Sequence, residues 1–220
     1  MPLLAEPASA LTDLGLGVVA LGMAAAIPSG PPPRAHWRRL FLWTGIAAVA
    51  GFVHHGVLTR YPSVDGASWA VVTLMVVVAI SYLLAATVAE VLGPGRAKAF
   101  WGLRSGSFIA YGIVALLGHA GIAAMLSCEG VTMAAVLALW GLALQRGHPR
   151  GLPIVAALVA SMIAASLRAM PADLVAPTGL DPTSLYHLAQ IPALVALFVA
   201  AGLAGETALR TDPLALIRRA

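Results

Sequence analysis

Seven apolar stretches, separated by short gaps that alternate in charge, leave this chain little choice of architecture. Of its 13 Lys and Arg residues, eleven fall in every second gap and in the carboxyl-terminal tail. These are Arg34, Arg38 and Arg39, then Arg96, Lys98 and Arg104, then Arg146 and Arg150, and finally Arg210, Arg218 and Arg219. The remaining gaps hold only Arg60 and Arg168. Short cytoplasmic loops retain positive charge during insertion, so the pattern predicts a bundle of seven transmembrane helices. The amino terminus lies outside and the carboxyl terminus in the cytoplasm.

A bilayer core of roughly 30 Å takes about 20 helical residues to cross. The predicted spans are Ala8 to Ile27, Leu40 to Leu58, Ser68 to Val91, Phe108 to Leu126, Val131 to Gln145, Leu152 to Met170 and Thr183 to Gly205. The fifth is the shortest, divided from the fourth by Ser127, Cys128, Glu129 and Gly130 alone. Pro28 to Pro33 reads as a stiff extended connector, and no gap has room for a second domain. Trp37, Trp43, Tyr61, Trp69, Trp101 and Tyr186 fall near span ends, where amphipathic rings favour the headgroup layer. The chain has no fixed-period repeat, which argues against an inverted-repeat transporter. Its first apolar run carries Glu6 and Asp13 and no preceding basic residue, unlike a secretory signal; the first span is expected to be retained.

With 60% hydrophobic and 10% charged residues, against roughly 25% charged in a soluble domain, the chain reads as an integral membrane protein. Ala and Gly richness points to a bacterial cytoplasmic membrane. The net charge of +4 is split among separate loops and makes no phosphate-tracking stripe, so nucleic acid is not an expected partner; anionic lipid headgroups are. Cys128, the single cysteine, excludes an internal disulfide and a Cys-x-x-Cys site. Gly15, Gly17 and Gly22 lie inside an apolar helix with no preceding strand, which suits helix packing better than nucleotide binding. The seventh span has no lysine for a retinal Schiff base, and no Cys-x-x-Cys-His motif for covalent haem occurs.

Ionisable groups inside a bilayer cost about 2.5 to 3.5 kcal/mol each on insertion scales, so those that persist need partners or a purpose. The topology places Thr12 and Asp13, His54 and His55, His119, Arg168, and Tyr186, His187 and Gln190 in the outer half. His119 is expected about 10 Å below the surface at 1.5 Å per residue. His36 and His148 fall in cytoplasmic loops. His54 and His55 stand about 100° apart around their helix, so one, His54, is expected to face the interior and the other to reach headgroups or a neighbouring helix. Imidazoles of His54 or His55, His119 and His187, with Asp13, make the N/O donor set that suits zinc; the bland alternative is hydrogen bonding across helices. Pro192 removes an amide donor five residues after His187 and is expected to kink the helix there. Arg168 either pairs with Asp13 or Glu129, orients an anionic headgroup, or snorkels to the interface. Glu90 is expected at the cytoplasmic end, in solvent.

The histidine pair ending the second span and the histidine opening the seventh resemble the superfamily of alkaline ceramidases and adiponectin-type receptors. Those seven-helix membrane hydrolases hold zinc with histidines and cleave lipid amides. The resemblance implies His54 or His55 as the early ligand and His187 as the first late ligand. The second late ligand falls at Ile191, beside Gln190, and no serine accompanies the early histidine, so His119 or Asp13 would have to substitute. Thr12-Asp13 within Leu11 to Gly22, Trp43 with His54-His55-Gly56 within Trp37 to Gly56, and Tyr186 to Gln190 within Ser184 to Gly205 also resemble an uncharacterised bacterial family of seven-span proteins.

The expected function is metal-dependent hydrolysis of a lipid amide or ester at the outer leaflet, the metal lowering the pKa of a bound water to near 7. Asp13 is ligand or base, and Arg168 orients the headgroup. Two other classes fit the same residues: a non-catalytic subunit of a larger membrane complex, and a haem b protein using two of the histidines.

Overall fold

The computed structural model describes residues 3–202, apart from the side chains of 97–99 and 122. Arg210, Arg218, Arg219 and the end of the predicted seventh span lie outside that range. Among the described residues every regular element is helical: α1 (Pro7–Ala26), α2 (Arg34–Gly56), α3 (Pro62–Val91), α4 (Trp101–Leu116), α5 (Ile122–Gln145), α6 (Gly151–Leu167), the short α7 (Ala172–Val175) and α8 (Pro182–Ala200). Three 3-10 helices join them, single turns at Leu58–Arg60 and Ala176–Thr178 and a longer one at Pro94–Phe100. Pro7, Pro62 and Pro182 each open a helix, where a missing amide costs nothing and the fixed φ is already helical.

Five of these helices are long and apolar enough to cross a membrane, and a sixth span results if α6 and the segment Ala172–Thr178, bent by 111°, count as one. The chain is thus compatible with an integral membrane protein. At 16 residues, α4 spans about 24 Å, short of the bilayer core.

The boundary between the predicted fourth and fifth spans is corrected. The break lies at Leu117–Gly121, where Gly118 takes φ +80°, a conformation open to glycine without penalty, and Gly121 caps α5 in an extended conformation. Ser127 to Gly130, expected to be a turn, is instead interior to α5, and Glu129 is buried there. Nothing in those four residues demands a turn; only the charge of Glu129 suggested one. The end of α5 is set by Gly147 at φ +75°. Beyond it, Gly151 packs against the α5 backbone, where an added Cβ would lie 2.7 Å from the Leu144 Cα.

The apolar core fills one half of the bundle. Ile27, Trp37, Phe41, Leu84, Val88, Val136, Trp140, Ile154, Leu158 and Leu197 are all buried in one cluster, with Phe41 meeting Phe198 edge to face. Small residues let α1 and α2 approach closely: an added Cβ on Gly45 would lie 2.6 Å from Leu21 Cγ, and one on Gly17 would lie 3.0 Å from Val49 Cγ2. Close backbone approach through small residues is how membrane helices gain packing contact. Gly15 and Gly22 meet no such neighbour, so of the three glycines in α1 only Gly17 serves this contact. α8 continues through Pro192 to Ala200.

The helix directions give the bundle two polar ends. One, the histidine end, joins the start of α1, the end of α2, and the starts of α3 and α8. The other, the arginine end, joins the start of α2, the end of α3 and the α5–α6 turn.

Candidate functional site

At the histidine end the polar residues of α1 recur with helical spacing: Glu6, Ser9 and Asp13 lie three and four residues apart and share a face. That face turns toward α2 and α8. Asp13 is 5% exposed. Its Oδ1 lies 3.1 Å from His187 Nε2 of α8, and its Oδ2 lies 3.9 Å from His55 Nε2 of α2. Gly51 of α2 makes room for the carboxylate, since any Cβ there would collide with Asp13 Oδ2.

The second nitrogen of each imidazole is also engaged. His187 Nδ1 lies 3.2 Å from Thr12 Oγ1, and the Thr12 hydroxyl lies 2.9 Å from the Ala8 carbonyl, to which it can donate. With its one proton on that carbonyl, Thr12 accepts from His187 Nδ1–H. Between His187 Nε2 and Asp13 Oδ1, two lone pairs 3.1 Å apart would repel, so one proton lies between them, on the ring or on the carboxyl. His55 Nδ1 donates to Glu6 Oε2 at 2.6 Å, and the Glu6 side chain is 50% exposed. His55 Nε2, an acceptor when the ring is neutral, is buried, has no hydrogen-bond partner among the described residues and is turned toward Asp13. The result is a chain of acid and base groups leading from a half-exposed carboxylate to a buried one.

Two further contacts fix the framework. Ser9 Oγ donates to both carboxylate oxygens of Asp181 at 3.1 Å, and Asp181 caps α8 by accepting from the Ser184 amide at 2.9 Å. Burial alone would raise the Asp181 carboxyl, but bonds from the hydroxyl and amide of Ser184 and from Ser9 outweigh it and hold the group below its usual range. The chain ahead of α1 is pinned across the end of α2, with the amides of Ala5 and Glu6 donating to the carbonyls of Gly56 and His55.

The predicted site residues divide. Asp13, His55 and His187 come together. Arg168 stands beside them at the end of α6, its guanidinium 4.8 Å from the Trp69 ring centroid and within electrostatic reach of Asp13, Asp181 and Glu6. The choice of His54 as the inward member of the pair is corrected: His55 turns to Asp13 while His54 reaches a neighbouring helix, and both are buried. Their 100° separation aims them at different neighbours, His55 at α1 and α8, His54 at α3. There His54 Nδ1 meets Ser68 Oγ at 2.8 Å and Nε2 lies 3.9 Å from Asp65 Oδ1. His119 does not join the site. It is an exposed residue in the α4–α5 turn, because the helix that would have carried it inward ends at Leu116. Gln190 points elsewhere as well, donating to Ser161 of α6 at 3.0 Å.

Sequence reasoning missed Glu6, Thr12 as a partner of His187, and Asp181. The three- and four-residue spacing of Glu6, Ser9 and Asp13, and the Asp-x-x-Ser cap of α8, were the available signals. Glu90, expected in solvent, is also corrected: its carboxylate is buried at the arginine end, accepting from Trp37 Nε1 and Arg150 Nη1 at 2.8 Å each.

Among the described residues no three His, Cys, Asp or Glu side chains are arranged to hold a metal ion. The Asp13 carboxylate contacts the rings of both His55 and His187. No curated protein and no solved structure matches the chain. Residues 8–205 match a family of unknown function, DUF6962, and the chain belongs to that family.

Proposed function

We propose that this protein is a seven-span hydrolase of a bacterial cytoplasmic membrane, with its histidine end outside, that cleaves a lipid amide or ester in the outer leaflet. The orientation is supported by charge: Arg34, Arg38, Arg39, Arg146 and Arg150 gather at the arginine end, against Arg60 and Arg168 at the other. In this reading the short α4 serves as the fourth span and the bent α6 segment as the sixth.

The observation that carries the chemistry is the bare Nε2 of His55, buried beside a carboxyl–imidazole pair that already shares a proton. A general base must lie within hydrogen-bond reach of the proton it takes. A water between the two groups gives its proton to His55 Nε2 as its oxygen bonds to the acyl carbon, and His55 passes its Nδ1 proton to Glu6 and so to solvent. The Asp13–His187 pair donates its shared proton to the departing amine or alkoxide as the acyl bond breaks. Water is thereby added across the bond, and the pair recovers a proton through Glu6 and His55. Arg168, held on Trp69, faces the headgroup phosphate.

A second reading keeps zinc at the same residues. Each imidazole is already bonded through Nδ1, to Glu6 and to Thr12, which is how metal-binding histidines are oriented by outer partners; His55, His187 and Asp13 would have to move from the arrangement seen here to serve as ligands.

The test is mass spectrometry of a bacterial lipid extract incubated with purified protein, alongside elemental analysis and a visible spectrum. Release of fatty acid or lyso-lipid, lost in Asp13→Asn and His187→Gln, supports the hydrolase. Stoichiometric zinc moves the mechanism to the second reading. An inert, colourless, metal-free protein that purifies with other subunits overturns both in favour of a structural subunit, and a haem spectrum overturns them in favour of a haem protein.

A further inference from the structure

The arginine end carries a feature that the acid–base site does not use. Tyr82, near the end of α3, is surrounded by basic groups from two other helices. The Arg39 guanidinium of α2 lies 5.6 Å from its ring centroid, and that of Arg104 of α4 lies 4.8 Å away. His36 stacks on the same ring at 6.2 Å. Arg104 is also 5.0 Å from the Trp101 ring, so it is held between two aromatic faces. Such stacking orients a guanidinium and leaves its N–H fork free.

Neither arginine has an ion-pair partner among the described residues. The nearby acid, Glu90, is already bonded by Trp37 and Arg150. Two positive charges therefore converge on one ring with no carboxylate paired to either among the described residues. Beside Arg104 opens a cavity of about 320 Å³ between α3 and α4, lined by Val78, Ser81, Trp101, Phe108 and Ile109. It is charged where it meets Arg104, polar at Ser81 and apolar beyond, and Phe108 and Ile109 are exposed on its wall.

We propose that this is a binding site for one acidic glycerophospholipid, its phosphate held by Arg39 and Arg104 and an acyl chain lying in the α3–α4 groove. Arginine forks match phosphate oxygens in pairs. A zwitterionic lipid would bring its ammonium toward the same two guanidiniums, so the uncompensated charge selects an acidic headgroup. In the orientation proposed above the lipid belongs to the cytoplasmic leaflet. The site is independent of any chemistry at the histidine end.

Native mass spectrometry of the purified full chain with phosphatidylglycerol or phosphatidylcholine of identical acyl chains tests this. The wild type is expected to retain one phosphatidylglycerol at a concentration at least about tenfold below that needed for phosphatidylcholine, 1.4 kcal/mol per tenfold. Arg39→Gln/Arg104→Gln should remove the difference. Val78→Phe, which fills the groove and keeps both arginines, should weaken retention of phosphatidylglycerol. Millimolar inorganic phosphate should not displace the lipid. Equal retention of the two lipids by the wild type, or undiminished selectivity in the double glutamine variant, overturns the proposal, and displacement by phosphate replaces it with a simple anion site. Should the glutamine pair not fold, Arg39→Lys/Arg104→Lys keeps the charge and loses the fork; selectivity unchanged in that variant contradicts the paired-fork geometry.

Discussion

The two ends of α2 and α3 handle buried charge in opposite ways. At the arginine end Glu90 is satisfied on both oxygens, by an indole and a guanidinium at 2.8 Å. That pair has no oxygen left over, the excess charge beside it is cationic and stacked on Tyr82, and His36 Nδ1 on the same ring is buried without a hydrogen-bond partner among the described residues. At the histidine end Asp13 lies 3.1 Å from His187 Nε2, and His55 Nε2 beside it has no hydrogen-bond partner among the described residues. A satisfied ion pair is architecture, whereas an unfilled acceptor beside a shared proton is a place for chemistry. Substitutions at the two ends should therefore separate activity from stability.

The largest effect is expected from the shared proton. Asp13→Asn keeps the shape but cannot exchange a proton, and loss of a general acid–base group should lower lipid cleavage by about 100-fold or more, read as product formed per minute. Gly51→Ala reaches the same carboxylate from α2 by steric displacement, and should lower activity without replacing any titratable group. An active Gly51→Ala protein with an unshifted Asp13 would break the assignment.

Glu90→Gln comes next and inverts the pattern. Removing one partner of a buried pair leaves the other uncompensated, but the Arg150 side chain is 40% exposed, so solvent takes up part of the loss. A decrease of about 1 to 2 kcal/mol is expected in unfolding by denaturant, with lipid cleavage retained. Asp181→Ala should cost about 1 kcal/mol as a lost helix cap, and it carries a pH signature. Because the folded carboxyl sits below its unfolded value, its stabilisation is fully present above about pH 4 and is lost as pH falls through the folded value. Stability of the wild type should decline across that acidic window, and the variant should lack this part of the decline. His119→Ala, in an exposed turn, should change stability by less than about 0.5 kcal/mol and leave cleavage intact.

Helix positions were largely legible because apolar runs, opening prolines and interrupting glycines are local signals. Pro62 and Pro182 mark starts, and Gly147 marks a stop. The α4–α5 boundary was not, because Glu129 was judged by its charge, while its burial depends on helices that pack against it. The same limit applies to the site. Asp13 and His187 stood out as ionisable residues in apolar spans, but their pairing joins residues 13 and 187 and that of His55 joins 55 to 6, and nothing local encodes such contacts. Which of two adjacent histidines turns inward had no single answer, since each found its own neighbouring helix. Glu90 looked solvated because its partner Arg150 is 60 residues away.

The most direct measurement is lipid cleavage by wild type, Asp13→Asn and Glu90→Gln side by side, in the same vesicles, with folding checked by thermal unfolding. The account predicts product from the wild type and Glu90→Gln, and none above background from a folded Asp13→Asn. Equal cleavage by folded Asp13→Asn and wild type, or no cleavage by any of the three, would contradict it.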